Sequence, residues 1–313
     1  MASRDLAIGV VCLSQTVVGL LGNFSLLCHY LFLYFTGCRL RSTDLIVEHL
    51  IVANFLSLLS KGVPQTMAAL GLIHFLNDIG CKLVFYVHRV GRGVSINTTC
   101  LLSVFQVITI SPRNSRWAEL KEKAPKYIGF SIFLCWILHM MLNIVVLLYV
   151  TGKWSNTNIT MKKDLGYCSG EGNNEISVSL CVPMLSIPDV FCVGLMLWAS
   201  GSMVFILFRH KQQVQHIRKN HLSPRSSPES RATHSILVLV STFVSSYILS
   251  CLFQVCIVLS DNPGILLVNT SALISVCFPT VCPFILMSRV SREHRLCFAW
   301  IKITKSPKSI INV

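Results

Sequence analysis

Seven apolar stretches of roughly membrane-spanning length run along this 313-residue chain, and nearly all the positive charge between them falls on alternate connections. An apolar helix of about 20 residues crosses the hydrocarbon core of a bilayer, and Lys and Arg are retained on the cytoplasmic side. The spans are placed near 6–35, 44–70, 81–110, 127–150, 176–208, 235–259 and 265–287. The segments that follow the first, third, fifth and seventh spans hold 19 Lys/Arg, including Arg113, Arg116, Arg209 and Lys211. The opposite side holds four: Arg4, Lys153, Lys162 and Lys163. The remaining four, Lys61, Lys82, Arg89 and Arg92, lie inside the spans or at their rims. The expected fold is therefore an all-α membrane protein, a seven-helix bundle with its N-terminus outside and its C-terminus inside. Residues 1–313 make one domain, because no connection exceeds about 30 residues and none has room for a separate core.

Composition supports a chain dissolved in lipid. Hydrophobic residues are 53% and charged residues 13%, against about 25% charged in a soluble domain. The net charge of +14 could suggest nucleic acid, but it is accounted for by inner loops facing an anionic leaflet. The first span lacks the short core and small-residue cleavage site of a secretory signal, so it is expected to insert uncleaved.

Most of the 14 cysteines lie within spans and act there as small apolar residues. Cys81 opens the third span and Cys168 lies in the outer loop between the fourth and fifth, both on the oxidising side. A bridge between them is favoured over two free thiols, since each is the best outer-face candidate for the other. The same loop carries Asn158-Ile159-Thr160, an N-glycosylation acceptor triplet on the expected outer side. The triplets at Asn23 and Asn97 lie within spans and should be unmodified.

Pro64, Pro183, Pro188, Pro279 and Pro283 fall inside spans, as hinges or static bends. Gly22, Gly62, Gly91, Gly93, Gly194 and Gly201 are candidate points of close helix approach. The inner loop RHKQQVQHIRKNHLSPRSSPESR (209–231) should extend the fifth helix in its first half and form a flexible link in its second. It is either a solvated connector or a basic docking surface, and the two roles are compatible.

Ionisable groups inside the spans carry the chemical information, since each costs about 2.5–3.5 kcal/mol at the bilayer centre on insertion scales. Arg89 and Arg92 stand three apart on one helix, and His88 is four from Arg92. At about 1.5 Å per residue they lie roughly 12 and 16 Å inward of Cys81. Asp189 in the fifth span and Lys61 in the second complete the set. These charges must face the bundle interior. They form either an internal ion pair, Asp189 with Arg89 or Arg92, or a wall for an extracellular ligand bearing an anionic or carbonyl group. The two can coexist, with a ligand competing for the pair. Neither His-Glu-x-x-His, a Walker loop nor Gly-x-Ser-x-Gly is present. The ten His are dispersed, and Cys100, Cys251 and Cys256 have no recognised metal-ligand spacing. No enzyme activity, cofactor or metal is expected.

Several runs resemble vomeronasal type-1 receptors, a family of seven-helix G-protein-coupled receptors. They are TDLI (43–46), Ala53-Asn54, LLSKGVPQTMAA (58–69), GCKLVFYVHRVGRGVS (80–95), ISPRNSRW (110–117), GLMLWASGSMV (194–204) and FPTVCPF (278–284). The resemblance implies a receptor for small chemosignals in the plasma membrane, coupled to a heterotrimeric G protein of the inhibitory type through inner-face residues such as Arg113, Arg116, Arg209 and Lys211. It also implies the Cys81–Cys168 bridge and a glycan at Asn158. The sequence departs from the wider receptor superfamily. Phe105-Gln106-Val107 stands where most carry an acidic-Arg-aromatic triplet. Cys282-Pro283-Phe284-Ile285-Leu286 replaces Asn-Pro-x-x-Tyr, and Asn54 stands where span two usually has an acid.

A secondary transporter is the alternative from another class. It would need internal repeats or coupling-ion carboxylates in the core; the chain shows no repeat, and only Asp189 and Glu48 are available. A receptor-like protein without signalling activity is the second alternative, compatible with every feature above.

Overall fold

A computed structural model describes residues 3–37, 41–72, 75–112, 118–145, 147, 150–151, 162–164, 167–171, 175–217, 228–260 and 264–304. Seven helices are long and apolar enough to cross a membrane. They are α1 (Ser3–Phe35), α2 (Ser42–Ala69), α3 (Asp78–Ile110), α4 (Ala118–Asn143), α5 (Glu175–Ile217), α6 (Pro228–Leu259) and α7 (Ile265–Thr304). Phe133, Phe191 and Phe205 are each more than 60% exposed. In water such a girdle would aggregate; in a bilayer it is the lipid face.

Helix ends follow local chemistry. The Asn77 side chain accepts from the Gly80 amide at 2.8 Å and caps α3. At the other end of α2, Gly71 takes a left-handed φ of 94°. There its amide donates to Ala68 O and that of Leu72 to Met67 O, which closes the helix with the paired bonds that a positive-φ residue permits. The start of α4 differs from the expected span at 127–150: the helix begins at Ala118, carries Pro125 inside it and ends at Asn143. The fifth helix does extend into the inner loop, as far as Ile217.

α3 is the central helix, packed against α2, α4, α5 and α6, while α1 lies against α2 and α7. Glycines permit the closest approaches. A Cβ on Gly91 would come within 2.7 Å of Ser57 Oγ and 3.0 Å of Ala53 O, and one on Gly93 would overlap the His139 ring. A Cβ on Gly22 would meet the Pro283 ring at 2.9 Å. Gly194 and Gly201 have nothing within 4 Å of a Cβ, so the expectation of close approach fails at these two; they stand where α5 has no near neighbour.

Two prolines have identifiable compensations. Pro283 lacks the amide that would bond Pro279 O. Asn23, fully buried, donates to that oxygen at 2.9 Å. Asn23 is thus a packing residue of α1, not a glycan acceptor. In α2, Pro64 likewise cannot serve Ser60 O, and the helix widens over Leu58–Gly62 into a single π turn in which Val63 N–H reaches Leu58 O. That extra residue re-aims Lys61.

The loop between α4 and α5 forms a small antiparallel sheet, an element the all-helical expectation did not contain. Its strands are β1 (Val150–Thr151), β2 (Lys162–Asp164) and β3 (Ser169–Glu171), in the order β1-β3-β2. Gly170 sits opposite both Val150 and Lys163.

Candidate ligand-binding site

The sheet is tied to the bundle beside β3. Cys168 is bonded to Cys81 at the head of α3, with S–S 2.02 Å and Cα–Cα 5.9 Å. Both are fully buried, and Tyr167 packs beside them against Phe75 and Phe85. The bond carries the sheet onto the mouth of the bundle. Lys61 lies below it, its Nζ 5.5 Å from the ring centres of both Phe85 and Tyr167. Two aromatic faces solvate this cation, which no carboxylate pairs with among the described residues. Burial pushes the Tyr167 phenol above its ordinary range.

Deeper in the bundle, α3, α4, α5 and α6 surround a cavity of about 80 Å³. Arg89 and Arg92 from α3, Asn143 from α4, Asp189 from α5 and Tyr247 from α6 line it. The arginines and the acid expected to approach one another therefore do converge. Their contact differs from the expected pair: neither arginine is within ion-pairing distance of Asp189. Tyr247 stands between. The Arg92 guanidinium carbon is 5.1 Å from the Tyr247 ring centre, and the Tyr247 hydroxyl donates to Asp189 Oδ2 at 3.4 Å. Arg89 Nε instead donates to Asn143 Oδ1 at 3.1 Å. The amide of Asn143 donates to His139 O, and His139 bonds Asn97 on α3. Cys192 of α5 donates to Asn97 Oδ1 at 3.2 Å. A polar seam thus fixes the three helices around Arg89.

His88 is not on that cavity. It lines a second one with Arg92, between α2, α3, α6 and α7. Lys61 is on a third, with Thr16 and Gln65. The five residues expected to bind ligand are therefore distributed over three spaces, and Arg92 is shared by two of them. Tyr247, Asn143 and His139 were missed by sequence reasoning. An Asn four residues after a His in an otherwise apolar helix was the available signal for the last two; an aromatic in a span gave none for Tyr247.

At the other end of the bundle, Arg209 is exposed near the end of α5, and Lys211 follows in the same helix. Arg113, Arg116 and the acceptor Asn158 lie outside the described residues.

The profile of the vomeronasal organ pheromone receptor family matches residues 6–299. The chain belongs to the vomeronasal type-1 receptor family. It is 71% identical over 300 residues to vomeronasal type-1 receptor 4 of Homo sapiens, covering 96% of this chain and 99% of that one. Vomeronasal type-1 receptor 3 of Homo sapiens is 61% identical over 297 residues, 95% of each chain. Olfactory receptor class A-like protein 1 of Danio rerio is 29% identical over 281 residues, 90% of this chain and 88% of the relative. Seven apolar helices and this family membership make the chain a multi-pass plasma-membrane chemosensory receptor, not an enzyme. A vomeronasal type-1 receptor takes a small-molecule ligand on one side and couples to a G protein on the other.

Proposed function

We propose that the chemosignal enters from the disulfide-capped mouth and binds in the cavity shared by Arg89, Arg92, Asp189 and Tyr247. The observation that supports this is the convergence of two half-buried arginines and one carboxylate on a single space, with an aromatic between the opposite charges. A ligand with an anionic or carbonyl group can accept from an arginine there. It then competes with the Tyr247 ring for Arg92 and alters the contact between α3 and α6. By population shift such a ligand favours whichever bundle arrangement it binds more tightly. His88 acts at the border of this space, in the cavity that shares Arg92 and Tyr247 with it, and Lys61 acts from a separate cavity.

The inner-face partner is a heterotrimeric G protein of the inhibitory type, contacted by the basic connections that hold Arg113, Arg116, Arg209 and Lys211. The test is expression of the full chain with inhibitory and stimulatory α subunits, screened against small volatile acids and carbonyl compounds. Agonist-dependent activation of the inhibitory subunit, weakened in Arg92→Ala at equal surface level, is expected. Activation through the stimulatory subunit alone would exclude the coupling, and an unchanged agonist potency in Arg92→Ala would remove that residue from the site.

A further inference from the structure

We infer that the cavity between α2, α3, α6 and α7 is a binding site for a small inorganic anion, with chloride as the physiological occupant. This site lies beside the proposed chemosignal cavity and does not depend on that reading. Five serines line it: Ser57, Ser95, Ser246, Ser250 and Ser275. Arg92, His88 and Tyr247 supply the rest of its polar wall, and no carboxylate belongs to it among the described residues. Its volume of about 40 Å³ exceeds the roughly 10–15 Å³ that a single water requires, and lies far below the roughly 300 Å³ of sites for larger ligands.

The hydroxyls are not all spoken for. Ser95 donates to Asn54 Oδ1 at 2.7 Å, and Ser275 to Ser271 O at 2.7 Å. Ser57 is 2% exposed, and its Oγ has no hydrogen-bond partner among the described residues. Buried polar atoms are almost always partnered. An orphaned hydroxyl on a residue that lines a serine-rich space marks a place for a further acceptor. A chloride would accept from Ser57 and from the guanidinium of Arg92.

Charge decides the sign of the occupant. Among the described residues, Lys61, Arg89 and Arg92 put three cations inside this half of the bundle against one carboxylate, Asp189. Asp189 is beyond ion-pairing distance of both arginines and lines the other cavity. A metal cation in the serine-lined space would sit against Arg92 with no acid to hold it, and the neighbouring polar residue on α2 is Asn54, an amide. An anion there neutralises a half-buried guanidinium that lies over the face of Tyr247. Because α2, α3, α6 and α7 all contribute to the wall, a bound ion would hold these four helices in one arrangement.

The full-length receptor in lipid nanodiscs is unfolded by heat in sodium chloride, sodium bromide, choline chloride and sodium gluconate at matched ionic strength, with no agonist present. The midpoint is expected to be about 3–5 °C higher in the three halide salts than in gluconate, saturating with halide concentration. Ser57→Ala should raise the half-saturating halide concentration about tenfold, and Arg92→Gln should abolish the dependence. Should Arg92→Gln not fold, Ser57→Ala carries the test alone. Equal midpoints in chloride and gluconate, a midpoint that follows sodium, a rise that never saturates, or an unchanged half-saturation in Ser57→Ala would each overturn the site. A failed agonist screen would leave these measurements untouched.

Discussion

The guanidinium of Arg92 lies over the ring of Tyr247, 5.1 Å from its centre. This contact joins the central helix α3 to α6. The ring also stands between Arg92 and Asp189, to which the Tyr247 hydroxyl donates. One aromatic side chain thus occupies the place of a direct ion pair. A cation over a desolvated ring is worth about 2 kcal/mol, and a long neutral-to-charged hydrogen bond less than the usual 1.5–3.

Tyr247 therefore separates two roles that can be measured. Tyr247→Phe keeps the ring under Arg92 and loses the bond to Asp189. Its surface level should stay near that of the parent receptor while agonist potency changes by severalfold. Tyr247→Ala removes both contacts and should lower the surface level as well. Equal surface levels in the two variants would show that the ring does not support the bundle.

Arg92 and Asp189 can be tested as a pair. A direct buried ion pair, broken on one side, leaves an uncompensated charge at a cost of about 3–5 kcal/mol, and removing the second charge restores stability. Tyr247 stands between them and is the partner of both, so Arg92→Ala and Asp189→Asn should each lower surface expression modestly, and the double variant should lose less than the sum of the two without recovering above Arg92→Ala. Rescue of Arg92→Ala by Asp189→Asn, measured as surface level, would mean that the two charges meet directly in the bilayer.

The seven spans were legible because 20-residue apolar runs leave few alternatives in a membrane. The convergence of Arg89, Arg92 and Asp189 was legible in part, because an intramembrane charge must face inward. What these charges touch was not. A Tyr in α6 has the same apolar signature whether it faces lipid or an arginine, and nothing local distinguishes Tyr247 from Phe243. The π turn at Leu58–Gly62 was likewise hidden: Pro64 announces a lost hydrogen bond, but a kink and a widened turn satisfy it equally. Lys61 consequently lies over Phe85 and Tyr167, a placement that its position in the sequence does not reveal.

The disulfide couples the outer sheet to α3. Cys81→Ser and Cys168→Ser should reduce surface expression to a similar degree, because either change frees the same loop. The bond closes 87 residues of chain, for which loop entropy predicts a loss of about 4–5 kcal/mol. The double variant should add little to either single, since the interaction is already absent. Clearly additive losses, scored by surface labelling, would show that each cysteine stabilises the fold separately.

Tyr167 supplies a pH dependence on the outer face. Its phenol is buried, so its folded pKa is raised above the unfolded value of about 10. Between those two values the unfolded chain binds fewer protons than the folded one, and stability falls as pH rises through the unfolded pKa. The contribution is intact at neutral pH and is lost on the alkaline side. Tyr167→Phe keeps a ring beneath Lys61 and removes the ionisable group. Thermal midpoints taken from neutral pH to above pH 10 should fall less steeply in the variant, and identical slopes would show that the phenol is solvated in the folded receptor.

Orientation rests on the split of 19 Lys/Arg on one side against four on the other. On the proposed orientation, N-terminus outside, Cys81 and Cys168 lie at the charge-poor end, facing an oxidising compartment that allows their bond. Asn158 belongs to the same outer loop as Cys168. An epitope placed after Val313 should accordingly be reached by antibody only after the cells are permeabilised. Asn158→Gln should abolish the mobility shift produced by glycosidase treatment, while Asn23→Gln should leave that shift intact and lower expression through the orphaned Pro279 carbonyl. Labelling of the C-terminal epitope on intact cells would invert the bundle, and would place the arginine-lined cavity on the wrong side of the membrane for an external chemosignal.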